Sequence, residues 1–345
     1  MPRPTITQVA ALAGVSIASA SRALNDQIAS AETIEKVRKA AAELGYIPDS
    51  RARSLKLGRT QQLAYAVADI GNPVYVEMMS AVQHVVAASG YRLVISSTGT
   101  TSTSLEVVDE LRRGHVDGLI LSPLRVTDEL IQALELAPVP VVVLGRAPEE
   151  STIDSVRADS PRGMRMVVDH LVATGRRRLV FLNGPRDTTP GRLREEGFLA
   201  AMAAHPDAEG RTFAAPDFTI ASGYAAAQKV LDDADDAPLD AIVAANDLIG
   251  IGALHAADDL GWSVPGDLSI TGMDNTELAE VTRPGLTSVD LGAAERGRLA
   301  AELLLARIAE PTRAVHTVTV APSLTIRASS MAKPLAQATA ERGVG

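Results

Sequence analysis

The chain of 345 residues contains no cysteine, and aromatic residues make up only 3% of it, with a single tryptophan, Trp262. Without cysteine there are no disulfides and no thiolate metal sites, which fits a reducing cytoplasm. No apolar run approaches the roughly 20 residues needed to cross a bilayer. The opening stretch, MPRPTITQVA, lacks the charged-then-apolar layout of a secretory signal. A cytoplasmic protein without a membrane partner is therefore expected. The six histidines (His84, His115, His170, His205, His255 and His316) fall in separate segments without metal-ligand spacing. Neither a P-loop nor a G-x-S-x-G elbow is present. No paired carboxylates are tied to a motif, and "DDADD" at 232–236 reads as a solvated acidic helix end. The expectation is a protein that is not an enzyme and that has no metal site and no cofactor.

At 345 residues, with 46% hydrophobic residues, the chain is long enough for two or three domains with full-sized cores. Its net charge of −9 conceals a split. Residues 1–59 carry nine Lys/Arg against five Asp/Glu, a net charge of +4. The remaining 286 residues carry 24 bases and 37 acids, a net charge of −13. A basic head on an acidic body suggests that only the head meets a polyanion.

In the head, Thr5 is a candidate N-cap for a helix through Ile6, Val9, Ala10, Leu12 and Ala13, ended by Gly14. Ser16 opens a second helix over residues 17–24, with Val15 as an apolar plug in the turn. After Ser30 the stretch "AETIEKVRKAAAELG" forms a third helix, with Ile34, Val37, Ala41 and Leu44 on one stripe and Gly45 as stop. The first two helices and their turn form a helix-turn-helix pattern. With Ala20, Ala23 and Leu24 facing the core, Ile17, Ala18, Ser21 and Arg22 face outward. Arg22 can grip guanine O6 and N7, or it can be a solvated surface charge. Ser16 and Ser21 can hold phosphates. Ile17 and Ala18 suit contact with thymine methyl groups. Thr5, Asn25 and Ser30 complete the candidate DNA-binding set in the head.

"TITQVAALAGVSIASASRALN" followed by "EKVRKAAAELGYIPD" resembles the head of the LacI/GalR family of transcriptional regulators. Gln8 stands where that family commonly has Asp, Ser19-Ala20 replace Thr-Val, and Asp49 replaces Asn. The stretch "DSRARSLKLGRT", residues 49–60, is by composition a short basic tether. The resemblance implies a hinge helix instead, one per subunit, entering the minor groove. Leu55 would then wedge a base step, with Ala52 and Arg53 beside it and Lys56 on phosphate.

After Thr60, "LAYAVADI", "YRLVISST", "DGLILSP" and "VPVVVLG" read as buried parallel strands, alternating with helical patterns such as "VYVEMMSAVQHVVAASG". A second series ("RRLVFLNGP", "DAIVAAND", "DLSITGMD") implies a second lobe, so two doubly wound α/β sheets are expected to share a cleft. The body resembles the periplasmic-binding-protein-like core of the same family, through phrases such as "DIGNPVYVEM", "RLREEGF" and "VPGDLSITGMDN". The resemblance implies an all-α helix-turn-helix head at 1–48, a hinge at 49–60 and a two-lobed effector-binding and dimerisation domain at 61–330. Its N-lobe covers about 61–158 and 291–320, and its C-lobe about 161–288 and 321–330. Residues 331–345 are expected to form a disordered tail.

Candidate effector-binding residues lie just after strand ends. Asn246 and Asp274 match positions that contact effector in the family, and otherwise cap the helices that they precede. Arg192 matches an effector-binding arginine, and otherwise is a surface ion-pair residue. Tyr75 and Phe218 offer faces for an apolar sugar surface, or belong to the core. Arg146 can reach in from the fourth strand. Trp262 reads as a packing residue. The expected function is a sequence-specific regulator, most often a repressor in this family. It would bind a pseudo-palindromic double-stranded DNA operator as a homodimer, under control of a small-molecule effector of carbohydrate type. The alternative is a solute-binding protein with the same two-lobed core.

Overall fold

The computed structural model describes residues 4–24, 29–47, 58–99, 104–233 and 238–331. The candidates Asn25, Ala52, Arg53, Leu55 and Lys56 and the tail from 332 onward lie outside the described residues. The chain divides into two compact units, at Met1–Thr60 and Gln61–Gly345.

The first unit holds α1 (Ile6–Ala13), α2 (Ile17–Leu24) and α3 (Ala31–Leu44). Local chemistry sets their ends. Thr5 Oγ1 accepts from the Gln8 backbone N–H, and Gln8 Oε1 accepts in turn from the Thr5 N–H, closing a capping box. Gly14 takes the left-handed conformation, φ 66°, which a residue with a Cβ adopts only at a cost. Ser16 Oγ accepts from Ser19 N–H at 3.1 Å, and Ser30 caps α3 through Thr33 N–H. Val9, Ala10, Ala20, Ala23, Val37, Ala40 and Ala41 form the core, with Val15, Leu24, Ile34 and Leu44 packed around it. Small residues at these contacts let three short helices approach closely.

The second unit contains two six-stranded sheets. The first sheet runs in the order β11-β5-β4-β3-β1-β2 and is parallel throughout. Its strands are β1 (Gln62–Val67), β2 (Arg92–Ser97), β3 (Leu119–Ser122), β4 (Val141–Leu144), β5 (Asp154–Ala158) and β11 (Thr317–Val320). Helices α4 (Pro73–Ala88), α5 (Leu105–Leu111), α6 (Asp128–Glu135) and α12 (Ala293–Ala309) belong to this lobe. The second sheet runs β12-β10-β9-β8-β6-β7 and is parallel except for the β10–β12 edge pair. It comprises β6 (Arg178–Asn183), β7 (Glu209–Ala214), β8 (Ala241–Ala244), β9 (Ser269–Met273), β10 (Thr287–Asp290) and β12 (Ser323–Thr325). Its helices are α7 (Ser160–Ala173), α8 (Thr189–Ala203), α9 (Ile220–Asp232), α10 (Asp247–Asp259) and α11 (Glu277–Val281).

The central strands are buried along most of their length, as in the all-buried "VVVL" of β4 and "SITGM" of β9, because helices cover both faces. Every strand read from an apolar run is present, but β2 is an exposed edge strand and not a buried one, because among the described residues nothing pairs with its outer side. The strands that the apolar pattern does not reveal are short or polar, such as "EGRTFA" of β7 at a sheet edge and the three residues of β12. The chain passes between lobes three times, between β5 and α7, between β10 and α12, and between β11 and β12. Trp262 packs against the core of the second lobe.

Candidate functional site

On the head, Ile17, Ala18 and Arg22 form one exposed face of α2, and Ile17 is 50% exposed despite being apolar. Arg22 Nη2 donates to Ser19 Oγ at 3.4 Å, and Ser19 Oγ lies 2.9 Å from Ser16 Oγ. The guanidinium is thereby steered by a row of hydroxyls one turn apart. Ser19 was not singled out from the sequence, although its spacing of three from both Ser16 and Arg22 carries the signal. Ser21 is half-buried. Thr5, Ser16 and Ser30 each spend their hydroxyl on a helix N-terminus. Those N-termini present backbone N–H groups of the kind that bind phosphate.

In the second unit, a cavity of about 380 Å³ opens between the lobes where the carboxyl ends of both sets of strands meet. Tyr75, Arg146, Phe218, Asn246 and Asp274 all line it. Tyr75 sits in the first turn of α4, which Asn72 caps and Pro73 starts. Phe218 follows β7, and its ring crosses Gly184, where a Cβ would lie 2.3 Å from Phe218 Cε1. Only glycine at 184 leaves the ring that place on the wall. Both aromatic side chains also pack partly against the lobe cores, so the two sequence alternatives hold together. Arg146 is exposed at the rim.

Asn246 Oδ1 accepts from Ile249 N–H at 2.9 Å, so Asn246 does cap α10, while Nδ2 donates to the Phe218 carbonyl at 3.2 Å. One side chain thus ties the aromatic wall to a strand end. Asp274 does not cap a helix. Its carboxylate pairs with Arg194 at 3.1 Å, with the two side chains only 5% and 9% exposed. Asp274 has φ 103°, a conformation unfavourable for any residue with a Cβ. It is held there by its own N–H donating to the Val289 carbonyl, and by Asn275 N–H donating to Ser288 Oγ. Burial pushes the Asp274 carboxyl up from its ordinary value, and Arg194 pulls against that shift.

The structure corrects the expectation for Arg192. That side chain is 54% exposed, pairs with Glu196 at 2.9 Å and stays out of the cavity. Arg194, two residues on, is the arginine that turns inward, its Nη1 donating to the Ala245 carbonyl at 2.6 Å. Both belong to "RLREEGF" on α8, and two residues of a helix differ by about 200° in direction. Beneath Asp274, the buried Asp247 accepts from Ser288 Oγ, Thr276 N–H and Thr276 Oγ1. Burial first, then the charge of Asp274, raise its carboxyl to about 7. Arg296 of α12, Asp69, Asp159 and Asp217 also line the cavity and were missed, because nothing local marks them as facing it.

Residues 5–49 match the family model for bacterial regulatory proteins of the lacI family, and residues 168–330 match a periplasmic binding protein-like domain. The HTH-type transcriptional regulator CelR of Thermobifida fusca is 37% identical over 329 residues, covering 91% of this chain and 95% of that protein. The chain belongs to the lacI family. The match to the lacI-family model falls in the first unit, and that to the periplasmic binding protein-like domain in the second. Among solved structures, a transcriptional regulator CelR–cellobiose complex superposes with a TM-score of 0.71 at 34% identity, covering 95% of this chain and 100% of that one. The lac repressor dimer bound to operator and the anti-inducer ONPF superposes with a TM-score of 0.85 at 26% identity, covering 96% and 100%. Among the described residues, no helix of this lacI-family chain is long and apolar enough to cross a membrane.

Proposed function

We propose that this chain is a transcriptional repressor working in the cytoplasm. It binds a pseudo-palindromic operator as a homodimer and takes a carbohydrate between its lobes. The observation that carries the ligand class is the composition of the cavity wall. Phe218 and Tyr75 supply faces for the apolar side of a sugar ring, while Arg194, Asn246 and Asp274 supply fixed polar groups for hydroxyls. The cellobiose bound in the CelR complex supports the same class.

On the DNA side, Arg22 reads a base edge, Ile17 and Ala18 contact apolar base surface, and the helix N-termini at Thr5, Ser16 and Ser30 hold phosphates with Ser21 and Asn25. Ala52, Arg53, Leu55 and Lys56 act in the minor groove, as the resemblance implies, with Leu55 as wedge. The cavity binds its ligand and does not transform it. Of its carboxylates the buried one, Asp274, is committed to Arg194, and the side-chain oxygen of Asn246 to a helix cap.

The test is selection of duplexes from a random pool, followed by titration of the winner with and without a panel of sugars. A two-fold-related site, affinity that falls steeply with salt, and a sugar that shifts operator affinity are expected. Selection of no duplex overturns the regulator reading. A ligand recovered chemically altered after incubation overturns the binding-only reading.

A further inference from the structure

Besides Arg146, Arg157 and Arg194, the cavity is lined by the guanidinium of Arg296, near the start of α12. Gly297 brings it there. A Cβ at 297 would lie 2.4 Å from the Met78 carbonyl oxygen, so α12 and α4 touch backbone to backbone, and Arg296 is carried in beside Tyr75. Arg296 Nε is buried without a hydrogen-bond partner, and among the described residues the side chain forms no ion pair. Arg194 Nε is likewise buried and unpartnered. Burial presses the Arg296 guanidinium toward neutrality, Asp274 and Tyr65 oppose this, and Arg194 adds like-charge repulsion.

Arg194 and Arg296 are therefore two neighbouring permanent positive charges; Asp274 acts on both and, among the described residues, is ion-paired only with Arg194, while Glu77 acts on Arg296 without an ion pair. Tyr65 and Tyr75 offer no compensating charge, because burial raises both phenols, Tyr75 to about 12. Hydroxyls of a neutral sugar would accept hydrogen bonds from Arg296 but would leave its repulsion with Arg194 in place. Carboxylates line the cavity as well, Asp69, Glu149, Asp159 and Asp217, beside Arg146 and Arg157. Asp69, Asp159 and Asp217 each accept one backbone N–H, from Gly71, Arg162 and Phe218 respectively, and keep lone pairs for hydroxyl donors.

Building on the carbohydrate reading of the cavity, we propose that the ligand is a sugar acid or sugar phosphate. Its hydroxylated body meets Asp69, Asp159 and Asp217, and its anionic oxygens bridge Arg194 and Arg296. Arg296 is then the residue that separates charged from neutral sugars. A guanidinium fork matches the geometry of a carboxylate or phosphate, and an anion between two guanidiniums removes their repulsion.

The test uses the full-length protein and matched probes: glucose, gluconate and glucose 6-phosphate; galactose and galacturonate; cellobiose and cellobionate. Affinities are measured by titration calorimetry on the wild type and on R296M, with R296Q replacing R296M if that variant does not fold. At least one acidic probe is expected to bind tenfold or more tightly than its neutral parent, and the Arg296 variant should reduce that preference to under threefold. The carboxylate and phosphate arms then separate the two sources of the anion. The proposal is overturned if a neutral parent binds as tightly as its acid, if the preference survives in the variant, or if no acidic probe binds. Operator binding is followed in the same preparations. A neutral sugar that shifts operator affinity sinks the anion assignment alone, whereas a protein that selects no duplex sinks the regulator reading.

Discussion

At the scale of single residues, the Arg194–Asp274 pair dominates the cavity because both partners are almost fully withdrawn from water. Removing one partner of such a pair leaves the other as an uncompensated buried charge, a loss of about 3–5 kcal/mol. Arg194→Met should lower stability by up to that amount, since Arg296 still acts on Asp274, and should abolish ligand binding. Arg192→Met, whose partner Glu196 is equally exposed, should change stability by no more than about 0.5 kcal/mol. Denaturant unfolding and calorimetry on both variants check this, and equal effects would reinstate Arg192. Asp247 gives a pH prediction. Its carboxyl is raised to about 7 in the fold, so the folded state favours the protonated form. Its contribution is then fully present below the ordinary carboxylate range and is lost as pH rises toward about 7. Stability from this group falls with rising pH by at most about 1.4 kcal/mol per unit. Asp247→Asn should flatten the melting-temperature profile between about pH 4 and 7, and an unchanged slope would remove Asp247 as its source.

At the scale of elements, the helices of the head were legible because their boundaries depend on neighbours in the chain. Thr5 with Gln8, Ser16, Ser30 and the left-handed Gly14 and Gly45 each act within one turn of themselves. On α2 the Ser16–Ser19–Arg22 row makes Arg22 a steered side chain rather than a free one. Arg22→Ala should cost about 1–3 kcal/mol and relax sequence preference at one base pair of each half-site. Ser19→Ala should keep the preferred base and loosen the discrimination. Both are read by repeating duplex selection, and an unaltered site for Arg22→Ala would leave that arginine to phosphate contact. On α8 the motif "RLREEGF" announced an arginine but not which one. Helical phase against β8 and β9 decides that, and the phase depends on how the helix is set down on its sheet.

At the scale of the whole second unit, two hydrogen bonds among the described residues join the lobes beside the cavity. Thr189 N–H donates to the Leu124 carbonyl at 2.7 Å, and Arg125 Nε donates to Asp187 at 2.7 Å. The Arg125 guanidinium lowers the Asp187 carboxyl, but the pair is solvated, with Asp187 66% exposed, so its worth is small. Asp187→Ala should weaken ligand binding by no more than about fivefold, through faster dissociation at an unchanged association rate. Stopped-flow measurement checks this, and an unaltered dissociation rate would mean that the contact does not hold the mouth closed. The sequence by itself determined the helix-turn-helix head, the two series of strands and helices, and most of the strand-end residues around the cavity. Those features rest on periodicity, capping and turn chemistry, which act over a few residues. Only the tertiary structure decided that Arg194 and not Arg192 faces inward, that Asp274 pairs instead of capping, and that Arg296 arrives from the far lobe. These outcomes depend on which surfaces two lobes turn toward each other, and on burial that strips water from charges about 80 or more positions apart in the chain.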